Sequence, residues 1–392
     1  MFPLEGITVV ALEQALAAPL ATRHLADLGA RVIKIERPEV GDFARDYDTT
    51  VRGMASHFVW ANRSKESLTL DLKREEAKEI LNRLLVKADV FMQNLAPGAC
   101  DRLGLGTKEL QSKFQRLIIC NLSGYGSTGP YRDKKAYDLL IQSEAGLVSV
   151  TGTEETPSKV GISIADTAAA MYSYSGILTA LLLRNRTGKG TAIEVSMLEA
   201  LGEWMGYAAY YTSYGGAQPP RTGAKHAAIA PYGPFIACDG ETVYLAIQNE
   251  REWFRFCEQV IECRDMATDP RFQTNSKRVQ NRNALEEIIN KIFSTLTRAV
   301  AIDRLEKAQI AYARLNSVQE FVDHPQLVAR DRWREVESPV GTLRALIPPV
   351  TMEGVEPTMG AVPSLGQHTQ AILEELGFDA ATIASWKSVK II

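Results

Sequence analysis

A chain of 392 residues is too long for one compact core, so two domains, or one large domain with an insertion, are expected. Apolar residues at 45% and charged residues at 23% are the proportions of an ordinary soluble globular protein. The net charge of -3 argues against a nucleic-acid-binding surface, which needs an excess of Lys and Arg, so any bound anion must be met by local basic groups.

The opening MFPLEGITVVALEQ meets Glu5 before any apolar run and has no basic flank, so it does not read as a signal peptide. Ile7 to Leu12 is a β-rich apolar run. Pro19 then suits the first turn of a helix carrying Leu20, His24, Leu25 and Leu28, which Gly29 ends. Val32 to Ile35 and Ser67 to Leu70 read as further strands. Ala77, Ile80, Leu81, Leu84 and Ala88 recur at helical spacing before strands at Val90 to Met92 and Leu117 to Leu122. Strands separated by helices imply βαβ units, hence an α/β fold with a largely parallel sheet and binding groups at the strand ends.

Gly124-Tyr125-Gly126-Ser127-Thr128-Gly129 is a literal G-x-G-x-x-G after a strand. A dinucleotide fingerprint needs a helix opening directly on the glycines and an acidic residue closing the next strand. Pro130, Tyr131, Arg132 and Asp133 follow instead, so nicotinamide chemistry is not expected. The five cysteines include no C-x-x-C pair and Cys120 lies in a strand run, the usage of reduced, mostly buried thiols in a cytoplasmic protein.

The segment KVGISIADTAAAMYSYSGILTALLLRNRTGKGTAIEVSMLEA, from Lys159 to Ala200, places Asp166 between a short apolar, strand-like run and a helix. That helix begins with Ala168, Ala169 and Ala170 and then turns apolar on every side, so it is expected to be buried. Its apolar stretch, Ala168 to Leu183, is shorter than a membrane span. Two readings of Asp166 stand at this point: a helix N-cap whose oxygens accept the first free amides, or a carboxylate that a bulky group can reach past small neighbours.

The Gly- and Pro-rich passage GGAQPPRTGAK marks a boundary. The expected domains are 1–215, a large domain; 226–324, a smaller one with two short strands around Asp239-Gly240 and helices bearing Trp253, Phe254, Phe256, Leu285 and Ile289; and 325–392, a segment of strand-like pieces with a final helix near Thr369 to Leu376.

The Asp166 segment, with the R-x-x-T-G-x-G turn Arg184 to Gly190, resembles the class III CoA-transferase family (CaiB/BaiF type), which includes formyl-CoA transferase, carnitine CoA-transferase and methylacyl-CoA racemase. The likeness runs from LEGITVVALEQ to LGQHTQAILEELG and is most specific at KIERP-x-x-GD and NLAPG-x-x-x-RLGLG. It implies a Rossmann-like large domain, a smaller α+β domain, a chain returning to the large domain, and a homodimer of two interlocked chains. It implies coenzyme A and acyl-CoA as substrates, a small carboxylic acid as co-substrate, and neither permanent cofactor nor metal. By the same resemblance Asp166 is the catalytic residue, and Gln14, Ala15, Arg37, Leu70, Lys73, Asn94, Leu95, Arg102, Lys135, Tyr137 and Met197 line the CoA site.

The chemistry fits those residue types. Coenzyme A carries several negative charges, which Arg37, Lys73, Arg102 and Lys135 could meet, each otherwise an ordinary surface cation. Asn94 reads equally as a turn residue before Pro97-Gly98, and Tyr137 and Met197 as packing residues. An ionised Asp can attack a thioester carbonyl, giving an acyl-aspartyl anhydride and then an aspartyl-CoA thioester. The racemase branch of the family instead has a His where this chain has Tyr137, and a phenol with pKa near 10 is a poor base at neutral pH. Transfer is therefore favoured over racemisation, with a non-catalytic CoA-binding protein as the remaining alternative. Succinyl-CoA is the expected donor, and itaconate, citramalate, glutarate or mesaconate an expected kind of acceptor. The family's run of glycines in the small domain is replaced by HAAIAPYGPFIACDG, where His226 or Tyr232 faces an acyl group or packs in a loop.

Overall fold

A computed structural model describes residues 2–392. The chain divides into two compact units. One comprises residues up to Ala145, Gly161–Met205 and Val328–Ile392; the other comprises Gly146–Val160 and Gly206–Leu327.

The first unit is built on six parallel strands: β1 (Thr8–Leu12), β2 (Arg31–Glu36), β3 (Lys65–Thr69), β4 (Val90–Gln93), β5 (Ile118–Ser123) and β6 (Ala192–Ser196). Their order is β3-β2-β1-β4-β5-β6, every neighbouring pair parallel, which is the doubly wound Rossmann arrangement. The central strands β1, β2, β4 and β5 are largely buried because helices cover both faces. These helices include α1 (Ala17–Asp27), α2 (Ser56–Asn62), α3 (Glu75–Lys87), α4 (Ala99–Arg102), α5 (Thr107–Lys113) and α6 (Asp138–Glu144). After a short α7 (Leu147–Val150), which belongs to the second unit, the chain returns as α8 (Ile164–Thr187), and α9 (Met197–Trp204) follows β6 directly. The sheet thus has an edge strand, β6, that the apolar pattern did not announce, since Glu194 interrupts its short run.

The R-x-x-T-G-x-G turn has a structural explanation. Arg184, buried near the end of α8, pairs with Asp89 at 2.9 Å just before β4, and Gly188 closes the helix in the left-handed region at φ 73°. A Cβ on Gly190 would stand 2.1 Å from the carbonyl oxygen of Leu117, so only glycine lets the chain pass under β5 and enter β6.

Residues beyond 327 seal the other edge of the sheet. The amide of His368 donates to the Ser67 carbonyl at 3.0 Å, the Ser67 amide donates to His368 Nδ1 at 3.1 Å, and the Thr69 amide donates to Thr369 Oγ1 at 3.0 Å. This gives the LGQHT segment a physical role: it covers the outer edge of β3.

The second unit carries α10 (Gly206–Gly215) and an antiparallel sheet of β7 (Tyr232–Ile236), β8 (Thr242–Ala246) and β9 (Ala311–Arg314), in that order. Its core gathers Trp253, Phe256, Phe272, Leu285, Ile289 and Phe293. The Asp239-Gly240 hairpin matches the expectation from sequence, whereas β9 was not legible. Residues 328–392 hold a two-stranded hairpin and two helices, Thr369–Glu375 and Ala380–Ser388, so the expected final helix is followed by one more.

Behind the sheet's carboxyl edge lies a buried charge network. Lys34, fully buried, meets Asp42 at 2.8 Å and Glu13 at 3.5 Å, and Lys65 meets Glu13 at 2.6 Å. Glu36 takes two bonds from Arg45 and one from Ser67. Burial alone would raise the Glu36 carboxyl, but these donors and the Lys34 charge bring it down to about 2 from an ordinary 4.5. Its folded value lies below its unfolded one, so its contribution is complete above about pH 4.5 and is lost as pH falls toward 2. Glu36→Gln is therefore expected to flatten that part of the stability profile by roughly 2 kcal/mol, as read from urea midpoints at pH 6 and pH 3.

Candidate active site

A doubly wound sheet opens a crevice at the carboxyl ends of the strands where the strand order reverses, here between β1 and β4. Both flanks of that crevice carry expected residues. Asn94, just past β4, accepts the Gln14 amide and donates to the Gln14 carbonyl, both at 2.9 Å, so one side chain continues the ladder past the end of β1. Ala15 then adopts a left-handed conformation at φ 65°, unfavourable for a residue with a Cβ, and its amide donates to Asp42 Oδ1 at 3.0 Å. The turn after β1 is thus pinned from two sides. The turn that Asn94 holds is the one after β1, not the one before Pro97-Gly98 that the sequence suggests.

Gln14, Arg37, Leu70 and Leu95 line one cavity of about 40 Å³, formed at the ends of β1, β2, β3 and β4. A wider cleft of about 660 Å³ continues from Leu95 past Pro97, Gly98 and Asn121 toward β6. Arg37, Lys73, Arg102 and Lys135 are all exposed, and among the described residues none has an ion-pair partner. Lys73 and Arg102 lie beyond β3 and on α4, outside the small cavity, and Lys135 precedes α6. Met197 is buried at the first position of α9, consistent with packing. Tyr137 is 63% exposed at the N-cap of α6. A further cavity of about 740 Å³ lies in the second unit against Arg221 and Arg282, and no expected site residue lines it.

Asp166 stands at the third position of α8, whose N-cap is Ser163. The strand-like run expected before it does not form, because the helix already begins at Ile164; the alternating Ile162, Ile164 pattern was too short to hold a strand without a ladder partner. The N-cap reading of Asp166 is likewise replaced. The caps come from a distant carboxylate, Asp138 Oδ1, which accepts the amides of Ala165 at 2.8 Å and Asp166 at 3.3 Å. The first amides of α8 are thus engaged by Asp138. Among the described residues no donor lies within hydrogen-bond distance of the Asp166 carboxylate. Burial, and then the neighbouring Asp138 charge, pushes the Asp166 carboxyl up to about 7.

The alanines that follow Asp166 are buried. Leu182 and Leu183, at 65% and 48% exposure, are not, so the helix expected to be buried all round leaves one apolar face open.

Two neighbours of Asp166 had no sequence signal. Asp138 is one. Tyr47 is the other: its phenol is pushed up to about 12 by burial and by the charges of Asp42 and Asp166 and by Tyr137. Of the histidines, His57 meets Tyr47 edge-on with ring centres 5.8 Å apart. Burial and the Arg23 and Arg63 charges press His24 down to about 3 against Tyr174, and His226 stacks on Tyr232 with ring centres 5.2 Å apart. His226 and Tyr232 thus pack on one another in the second unit, Tyr232 as the first residue of β7. Among the described residues no cluster of three metal-ligating side chains occurs, and no helix is long and apolar enough to cross a membrane.

Asp166 itself lines neither strand-end cavity, and of the four unpaired cations only Arg37 does. A largely buried, proton-attracting carboxylate in a unit that also holds such a crevice is suited to acyl or proton transfer on an anionic substrate. The family model for CoA-transferase family III matches residues 4–369, and the chain belongs to that family. It is 37% identical over 331 residues to an acetyl-CoA:oxalate CoA-transferase of Acetobacter aceti, covering 84% of this chain and 85% of that one. It is 32% identical over 388 residues to a succinyl-CoA:glutarate CoA-transferase of Mus musculus, covering 98% and 88%. A crystal structure of a CaiB/BaiF family protein from Brucella suis superposes with a TM-score of 0.83 at 33% identity, covering 96% of this chain and 99% of that one.

Proposed function

We propose that this CoA-transferase moves CoA from succinyl-CoA to a small carboxylic acid, with dicarboxylates such as itaconate or glutarate as acceptors, through covalent intermediates on Asp166. The observation that carries the reading is the Asp166 carboxylate itself: raised to about 7 and, among the described residues, free of hydrogen bonds. The named donor of the mouse relative supports succinyl-CoA.

In this scheme an Asp166 oxygen bonds to the thioester carbonyl carbon, the C–S bond breaks, and CoA leaves as thiolate. The thiolate attacks the aspartyl carbonyl of the mixed anhydride, releasing the donor acid and leaving an aspartyl-CoA thioester. The incoming carboxylate attacks that thioester and repeats the two steps in reverse, regenerating Asp166 with no net change in protons or electrons. Arg37, Lys73, Arg102 and Lys135 meet the phosphates, Leu70 and Leu95 receive apolar parts of the ligand, and Gln14, Ala15 and Asn94 shape the turn it passes, with Tyr137 and Met197 at its margins. A homodimer, with the open faces of Leu182 and Leu183 on α8 and of Tyr207, Tyr210, Tyr211 and Tyr214 on α10 covered by the second chain, completes the proposal.

Incubation with succinyl-CoA followed by hydroxylamine is expected to convert Asp166 to its hydroxamate, a change in mass confined to the peptide that holds it. Exchange that proceeds with no modified carboxylate would overturn the covalent route. A panel of dicarboxylic acids assayed against succinyl-CoA identifies the acceptor.

A further inference from the structure

Asp138 sits at the first position of α6, 28 residues before Asp166 in the chain, yet it makes the principal contacts to the nucleophile's backbone. Its Oδ1 holds the amides of Ala165 and Asp166, and its Oδ2 accepts from Gln142 Nε2 at 2.7 Å. Gln142 is itself fully buried on the same helix. Three N–H donors therefore converge on Asp138, while none reaches the carboxylate of Asp166. The two acids face one another in one partly buried site with opposite surroundings, an arrangement that separates the roles of paired carboxylates.

We propose that Asp138 is a positioning residue for the transfer assigned to Asp166. It fixes the first turn of α8 by taking the amides that an Asp at that turn would otherwise compete for, and it sets a negative charge against the nucleophile. This inference rests on the covalent reading above. Two effects follow. With its own helix amides already occupied, Asp166 keeps both oxygens available to a thioester carbon. With Asp138 beside it, Asp166 becomes a more basic and hence more nucleophilic carboxylate, in keeping with its rise to about 7, which burial begins and Asp138 extends. Other titratable groups stand on the elements around α8, and His57 on α2 lies edge-on to Tyr47 with ring centres 5.8 Å apart. Tyr47 acts from the segment after β2, and Tyr137 stands at the N-cap of α6. Glu199 on α9 is engaged by Ser196 at 2.7 Å, and His24 on α1 lies against Tyr174, two turns along α8.

Two substitutions separate the clamp from the charge. Asp138→Asn keeps an acceptor for the two amides and removes the charge, while Asp138→Ala removes both. The pH dependence of carbodiimide labelling at Asp166, followed by mass spectrometry, reads protonation of that carboxyl without turnover; single-turnover formation of the Asp166 adduct reads reactivity. In Asp138→Asn the labelling midpoint is expected to move about one pH unit lower, with adduct formation several-fold slower above it. In Asp138→Ala adduct formation is expected to fall about 10²-fold, with CoA affinity within a factor of two of the parent. A labelling midpoint unmoved in Asp138→Asn overturns the charge role whatever the alanine variant does, and a rate within threefold of the parent in Asp138→Ala overturns the clamp. If the parent protein labels at Asp166 but forms no adduct, the covalent reading itself fails and this inference falls with it, whereas normal adduct formation in both variants removes only the role of Asp138.

Discussion

Asp166→Ala is expected to lower CoA transfer by about 10⁴-fold or more, because nucleophilic catalysis lost at its single attacking atom leaves only substrate binding to accelerate the reaction. The fold should be unaffected. Among the described residues the Asp166 side chain accepts no hydrogen bond that would be left unmade, and Ala165, Ala168, Ala169 and Ala170 of the same helix are buried independently of it. The check is a rate measurement beside a thermal melt: a large fall in transfer with an unchanged melting temperature and unchanged CoA affinity is the expected pair. Transfer persisting in this variant would return Asp166 to the role of an ordinary helix residue.

Lys34→Met is expected to destabilise the first unit by about 3–5 kcal/mol, since it removes one partner from a buried ion pair and leaves Asp42 and part of Glu13 without compensation. The comparison that isolates this is an exposed pair such as Lys78–Glu75, where removing the lysine should leave the urea midpoint nearly unchanged. Activity should fall as well, because Asp42 also holds the Ala15 amide. Once Lys34 no longer anchors that carboxylate, the strained turn after β1 relaxes and CoA binding weakens. A double replacement, Lys34→Met with Asp42→Asn, should recover part of the stability while leaving the turn poorly held.

The parallel sheet was legible because buried parallel strands show as continuous apolar runs, and five of its six strands declared themselves. The sixth did not, because Ala192–Ser196 is short and partly exposed. Asp166 was legible as a residue at a helix mouth, since Ala168 to Ala170 follow it. What surrounds it was not, because a cap supplied by Asp138 from another helix leaves no local spacing to read. The same holds for Glu13, Lys34 and Lys65, which lie far apart in the chain, so that only the fold brings their charges together. Hydrophobic periodicity also could not separate the two faces of α8, because Leu182 and Leu183 look like core whether their own chain or a second one covers them.

The seal on β3 sets an order of assembly. Thr69 finds its partner 300 residues later, at Thr369, so the sheet begun by the first seventy residues stays open along one side while the whole of residues 206–327 is synthesised. During translation the nascent sheet must wait with a bare rim, and the intervening unit has time to settle before its host is finished. A chaperone that shields extended backbone should therefore bind this chain most strongly when it is stalled between those two points.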